Sequence, residues 1–441
     1  MEKLRKNAAG IDIGAKEIFI ATEGKPVISF ETFTSEIERA IAYLTAEKVH
    51  TIAMEATGSY WFILYDMLVA AGFDVWLVDG RQTKQVPGRK TDVKDCQWIL
   101  QLHSYGLLNR CFIPDSHIKE LRSYARLRED HIRSSSMHIN HMQKALIEMN
   151  IRLKEVLSQI HGASGLAIIK AIIDGERDSH KLLALCHETI ISKKADEVLK
   201  SLKGFYTVSG VFALKQAYES YIFYRNQMQE CDDKISEVMV LINEFDEDPE
   251  KKARIQEVKK RKPIRHNKPN VKHLGGHLLE IFGGRDATKL PGITDYTWLQ
   301  LYTETGNDLT KWPTEKHFTS WLGLAPGQHR SGKMNKRKNR KAKPKVGQIF
   351  RQAAQSVIES KKIALGSFGR RLKSRKGPGI AVKATAGKIA ELYWRLMVKG
   401  LDYTEYGIKA YEEKMLLQKE KWLIRTANEL GMQLSYNQAY S

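Results

Sequence analysis

The amino-acid sequence predicts an α/β domain at the N-terminus, a middle section of long coiled-coil helices, and a mostly α-helical C-terminal domain. Three observations carry this expectation. Short apolar runs alternate with helical stretches over residues 7–100. Two long segments, 116–150 and 214–242, repeat their apolar residues three and four apart. Beyond residue 274 the apolar patterns have mostly a helical period.

Residues 7–14 read as a buried strand carrying one acid, Asp12, and breaking at Gly14. Residues 16–22 and 26–33 read as two further strands joined by a turn at Glu23-Gly24-Lys25. Ser35 is the expected N-cap of a helix reaching about Ala46. A short apolar strand, 51–55, ends in Glu55; a helix follows at 60–71, a strand at 74–78, and Asp92 opens another helix. Hairpin-like strands followed by alternating strands and helices describe a ribonuclease H-like α/β sheet. Ligands of such a sheet gather at the carboxyl ends of its strands.

Asp12 and Glu55 both stand at or near such ends. Asp92 and Asp95 are spaced to share one helix face, with Cβ atoms about 5–6 Å apart. Taken alone, the pair reads as an acidic first turn, which the helix dipole favours by about 0.3–1 kcal/mol per charge. Two carboxylates that close repel unless a cation sits between them, however. An Asp flanked by isoleucines is also expensive to bury without a partner. Four acids converging on one end of a sheet can hold a divalent cation through oxygen ligands, which suits Mg²⁺ (or Mn²⁺).

The first long segment has the seam Ile118, Leu121, Ala125, Arg128, Ile132, Ser135, Ile139, interrupted only by Arg128 and Ser135. The second, from Leu214 to Ile242, is cleaner, and both predict a coiled coil within the chain or between protomers. His138 and His141 on the first segment lack a third ligand and read as surface or core histidines. Residues 163–202 form a helical insertion without a chemical motif.

The net charge of +20 is concentrated. Residues 251–273 hold ten Lys/Arg against one acid, and 331–345 hold eight against none. Focused strips of this kind suit a polyphosphate partner, hence nucleic acid. The candidate contacts are Lys259, Lys260, Arg261 and Lys262 in a basic linker, and Arg330, Lys333, Lys336, Arg337, Lys338 and Arg340 in the second strip. The four cysteines form no C-x-x-C pair, which argues against a zinc ribbon or a disulfide framework and fits a reducing compartment. With no signal region and no membrane-length apolar run, the expectation is a cytoplasmic protein, nucleoid-associated when bound to DNA, with no membrane partner. The expected domains are 1–115, 116–246, the linker 247–273, and 274–441.

In the last of these, Lys289-Leu290-Pro291-Gly292-Ile293 and the following helix resemble a helix-hairpin-helix element, which offers backbone N–H groups to phosphate. Ser331 lies between basic residues in a loop. Helices are expected at 345–361, 381–398 and 404–430.

Six motifs in order resemble one family. Gly-Ile-Asp-Ile-Gly, Met-Glu-Ala-Thr-Gly-Ser-Tyr and Lys-Thr-Asp-Val-Lys-Asp resemble the N-terminal domain of the DEDD insertion-sequence transposases, the bridge-RNA-guided serine recombinases. Leu-Pro-Gly-Ile, Trp-Leu-Gly-Leu-Ala-Pro-Gly and Arg-Ser-Gly-Lys resemble their C-terminal transposase domain. The resemblance covers roughly 7–150 and 275–400, and the middle insertion is similar to that of the longer subgroup. It implies a RuvC-like (Holliday-junction-resolvase-like) first domain whose metal-binding acids are Asp12, Glu55, Asp92 and Asp95, with Ser331 as nucleophile. It further implies donor and target double-stranded DNA as substrates, an element-encoded noncoding RNA as guide, and a homotetramer arranged as a dimer of dimers. Many relatives carry two glycines after the serine; here Gly332 is followed by Lys333. The nearest alternative is a Mg²⁺-dependent structure-specific (Holliday-junction-type) endonuclease that uses water instead of Ser331. An actin-like ATPase fits less well, because no second glycine-rich phosphate loop is present. A purely nucleic-acid-binding protein would leave the four acids without a role.

Overall fold

Side chains on a strand alternate between the two faces of its sheet, so the order of residues decides what each strand can pack against. A computed structural model of the chain describes residues 2–83, 91–244, 247–258, 262–264, 266–325, 329–331, 334–336, 344–400 and 407–433. It divides into two compact units, residues 1–113 and 114–441.

The first unit runs β1 (Ala8–Ile13), β2 (Glu17–Thr22), β3 (Ile28–Glu31), α1 (Thr34–Ala46), β4 (Thr51–Glu55), α2 (Trp61–Ala70), β5 (Asp74–Val78), α3 (Gly80–Thr83) and α4 (Asp92–Ser104). Its sheet has the order β3-β2-β1-β4-β5. β1, β4 and β5 are parallel, and β2 is antiparallel to both its neighbours. Ile11 and Ile13 join Ile52 and Met54 on one face, in a core with Ile37, Ala40 and Leu44 of α1 and Leu64 and Leu68 of α2. On the other face Ala53 and Val78 meet Ile99 and Leu102 of α4. The first helix starts differently from the sequence expectation. Burying Ile37, Ala40 and Leu44 sets its phase, the chain enters it behind Phe33, and Ser35 lies inside the first turn rather than capping it.

The second unit begins with α5 (Ser116–Glu148), then α6 (Leu153–Val156), α7 (Ala163–Ile173), α8 (Ser179–Leu183), α9 (Glu188–Ser201) and α10 (Val208–Ile242). Asp115 caps α5 and Thr207 caps α10 through their side-chain oxygens. The two long helices lie antiparallel: Arg128 meets Asp232, and Met149 lies against Gly210. Their apolar seams therefore cover one another within the chain and supply no argument for a contact between protomers. At one end they enclose a core with α6 to α9, built on Met142, Leu146, Ile168, Val198 and Leu214. At the other end Ile118, Leu121, Ile235 and Val238 join the C-terminal core. His131 and His138 pack on the Tyr224 ring, with centroids 5.8 and 5.5 Å away.

Four further features depart from the sequence expectation. The basic linker contains a helix, α11 (Pro249–Glu257), capped by Asp248 and anchored by buried Ile255. Its single apolar anchor was hidden among charges. After α12 (Leu274–Ile281) and a 3₁₀ turn (Ala287–Lys289), the hairpin glycine Gly292 (φ 75°) would bring a Cβ within 2.7 Å of the Ala353 carbonyl. One side of that turn is thus covered by protein rather than open to phosphate. Beyond α13 (Asp295–Thr305) and α14 (Glu315–Trp321), Ser331 ends a short strand, β6 (His329–Ser331), paired antiparallel with β7 (Met334–Lys336), and is not in a loop. Lastly, between α15 (Lys345–Glu359) and α17 (Pro378–Lys399) stands an unexpected helix, α16 (Ala364–Lys376). Its fully buried residues are Gly366, Ser367 and Gly369, while the apolar Leu365, Phe368 and Leu372, three and four apart, are half-buried. The described chain closes with α18 (Gly407–Glu429). No described helix is long and apolar enough to cross a membrane.

Candidate metal centre

Parallel pairing of β1 with β4 places Gly10 opposite Ala53 and Ile11 opposite Met54. The next residue pair, Asp12 and Glu55, therefore emerges side by side at the carboxyl ends of the two strands. Period-two alternation puts both on the face that α4 covers. α4 crosses β1 closely because Gly10 has no side chain: a Cβ there would collide with the Cys96 carbonyl oxygen and the Leu100 nitrogen. At the far end of α4, His103 shares a 2.9 Å hydrogen bond with the Thr51 hydroxyl at the start of β4. The helix thus runs back along the sheet and brings its first turn to the strand ends. Thr91 caps that turn, its hydroxyl accepting the Lys94 N–H.

Asp12, Asp92 and Asp95 meet there, each offering a carboxylate oxygen within 4.8 Å of the others. Burial is the main force on Asp12, and repulsion from Asp95, Asp92 and Glu55 adds to it, raising its carboxyl from 3.8 to about 6. One N–H, that of Ile13, donates to Asp12 Oδ1 at 3.1 Å and works in the opposite direction. A site in which neighbouring carboxylates raise the proton affinity of Asp12 is short of positive charge. Hard oxygen donors in that state fit a divalent cation. Burial likewise pushes the neighbouring Cys96 thiol up to about 12, so it stays protonated at neutral pH.

Glu55 stands beside this trio and makes a different contact. Its Oε2 accepts a hydrogen bond from the Thr83 hydroxyl at 2.5 Å. A Cβ at Gly80 would strike its Oε1. α3 therefore fixes the Glu55 carboxylate. The sequence reading missed Gly10, Gly80 and Thr83. For Gly10 a signal was present, since a glycine inside an apolar strand marks close approach by another backbone.

Ser331 belongs to the second unit, opposite Met334 in the β6–β7 register. Arg330 and Lys336 lie on the same two strands. Lys262 donates to the Leu290 carbonyl at 2.7 Å, so part of its charge is held within the fold. Lys259, Lys260, Arg261, Lys333, Arg337, Lys338 and Arg340 lie outside the described residues.

The family model of the IS110 DEDD transposases matches residues 9–151, which contain all four acids. A second model, described as Transposase IS116/IS110/IS902 family, matches residues 285–367, which contain Ser331. The chain belongs to the DEDD insertion-sequence transposases. No curated protein matches it. As a DNA transposase the enzyme acts on DNA, and a divalent cation is the family's usual requirement, in keeping with the three-carboxylate cluster.

Proposed function

We propose that this transposase cuts and rejoins donor and target DNA strands by phosphoryl transfer, using Mg²⁺ (or Mn²⁺) held by Asp12, Glu55, Asp92 and Asp95 and the Ser331 hydroxyl as nucleophile. The observation that carries the reading is the convergence of Asp12, Asp92 and Asp95, with Asp12 pushed to about 6. The sheet order, with β2 antiparallel beside parallel β1, β4 and β5, supports a ribonuclease H-like, RuvC-like catalytic domain. Resemblance to the family supports guidance by an element-encoded noncoding RNA and assembly as a dimer of dimers.

A bound divalent cation supplies positive charge to the phosphate oxygens. The chain supplies the rest. Three aspartates and a Thr83-fixed glutamate set the cation's position. Ser331 Oγ loses its proton and forms a bond to phosphorus, while the bond from phosphorus to one sugar oxygen breaks and that oxygen takes up a proton. The phosphoserine ester keeps the energy of the broken linkage, so an incoming sugar hydroxyl can displace Ser331 and rejoin a strand. The basic strips hold the phosphate backbones without reading sequence.

The test is to purify the protein from cells carrying its whole element, sequence the co-purifying RNA, and incubate the complex with oligonucleotides and Mg²⁺. On a denaturing protein gel, a DNA adduct that Ser331→Ala and Asp12→Asn each abolish is expected. Cleavage without an adduct, indifferent to Ser331→Ala, would replace the serine with water and make the protein a structure-specific endonuclease.

A further inference from the structure

The exposed surface of α16 carries a third concentration of positive charge, distinct from the two strips. Residues 361–376 hold seven Lys/Arg and no acid. Two of the seven are engaged. Arg370 donates to the Ile358 and Ser360 carbonyls and to the Ser367 hydroxyl, and Lys373 reaches Glu359 at 4.0 Å. Lys361, Lys362, Arg371, Arg375 and Lys376 are exposed, and none has a carboxylate partner among the described residues. Elsewhere in this unit many exposed cations are paired, as Lys170 is with Asp174, Arg254 with Glu280 and Lys316 with Glu391.

The ordinary explanation is complementarity to the helix dipole, which favours cations in a last turn. It accounts for Lys373, Arg375 and Lys376. Lys361 and Lys362 stand between the C-terminus of α15, whose dipole favours positive charge, and the N-terminus of α16, whose dipole disfavours it, so the two dipoles largely offset there. The helix is also held firmly. Gly366, Ser367 and Gly369 are buried, and Arg370 ties α16 to the end of α15. That leaves Arg371 and Arg375, one turn apart, facing solvent.

We propose that α16 is a docking surface for duplex DNA, contacting phosphates through Lys361, Lys362, Arg371, Arg375 and Lys376. It rests on the reading that this transposase works on double-stranded DNA. Duplex DNA is the partner because the chain belongs to a family of DNA transposases, whose substrate brings a regular array of phosphates to this unit. The contacts are to phosphates, so the surface adds affinity and orientation without sequence preference. Its exposed cations lie beyond the C-terminal family match, which ends at residue 367, apart from the two lysines at its edge.

Each phosphate contact contributes about 0.9 to the slope of log affinity against log salt. The full-length Arg371→Ala/Arg375→Ala/Lys376→Ala variant, titrated into a short fluorescent duplex of arbitrary sequence over a salt series, should lose about 2.7 from that slope. A second variant, Lys361→Ala/Lys362→Ala, changes no residue of the helix and should lose about 1.8. Co-purifying RNA should be retained by both. A slope unchanged from wild type in the second variant, or in a first variant with wild-type helical circular dichroism, overturns the surface. Lost RNA with intact duplex binding overturns the choice of DNA. A wild-type protein that binds no duplex at low salt would instead sink the transposase reading as a whole.

Discussion

Asp12 is expensive to keep ionised in the absence of a cation. Its carboxyl titrates near 6 in the folded chain against 3.8 ordinarily, so the folded state holds an extra proton between those values. The sign follows by linkage: the stability Asp12 contributes is full below about pH 4 and is lost as pH rises through about 6. A divalent cation competes for the same oxygens, so it should raise the melting temperature strongly above pH 6 and weakly below it. Asp12→Asn should abolish that response and DNA strand exchange together. It should also leave the metal-free protein more stable above pH 6, by on the order of 1 kcal/mol once solvent screening of a half-buried group is allowed for. An equal cation-induced shift on both sides of pH 6, or a metal response that survives in Asp12→Asn, would remove Asp12 from the cation site. Asp12 was legible in the sequence because an acid between isoleucines breaks a strand's apolar pattern. Thr83 was not, because a threonine in a polar segment has no pattern to break, and only the folded position of Glu55 gives it a partner.

At the scale of elements, the long-helix pair shows what periodicity conveys and what it conceals. The repeats at 116–150 and 214–242 located α5 and α10 to within two residues at their C-terminal ends, yet Arg128 and Ser135 looked like faults in the first seam. Arg128 is buried. It donates to Asp232 at 2.5 Å, to the Tyr296 hydroxyl at 3.0 Å and to the Asn267 carbonyl at 3.1 Å. A single side chain therefore joins α5 to α10, to α13 and to the segment before α12, and no one-dimensional pattern reveals partners so distant in sequence. Breaking such a pair strands a charge in the interior. Arg128→Met or Asp232→Leu alone should cost about 3–5 kcal/mol, whereas the double variant should recover much of the loss. Urea unfolding of the four proteins measures the coupling directly. Additive single-variant costs would mean that Arg128 and Asp232 act independently, against their contact. The helices α11 and α16 escaped the sequence reading for a related reason. α11 is held by the isolated Ile255, and α16 fully buries only Gly366, Ser367 and Gly369, with its short stripe Leu365, Phe368 and Leu372 set among seven basic residues.

Across the whole molecule, chemistry and charge are divided between the two units. Residues 1–113 contain all four proposed metal-binding acids, and they carry 13 Lys/Arg against 14 Asp/Glu. The remaining residues therefore carry +21 of the chain's +20, including both basic strips and α16. A unit of net charge −1 exerts little long-range attraction on DNA, so the second unit is expected to supply most of it. The first unit has its own two-faced sheet core and makes the Asp12 cluster entirely from its own residues. A fragment of residues 1–113 should accordingly melt cooperatively, gain stability from Mg²⁺ unless Asp12 is changed to Asn, and bind duplex DNA too weakly to show a salt slope. A fragment of residues 114–441 should bind duplex DNA with nearly the salt slope of the full chain and show no Mg²⁺ response. Calorimetry of the first and a salt titration of both make the comparison. If the first fragment binds DNA with the slope of the whole protein, the attraction resides with the acids after all, and the division of labour between the units is wrong.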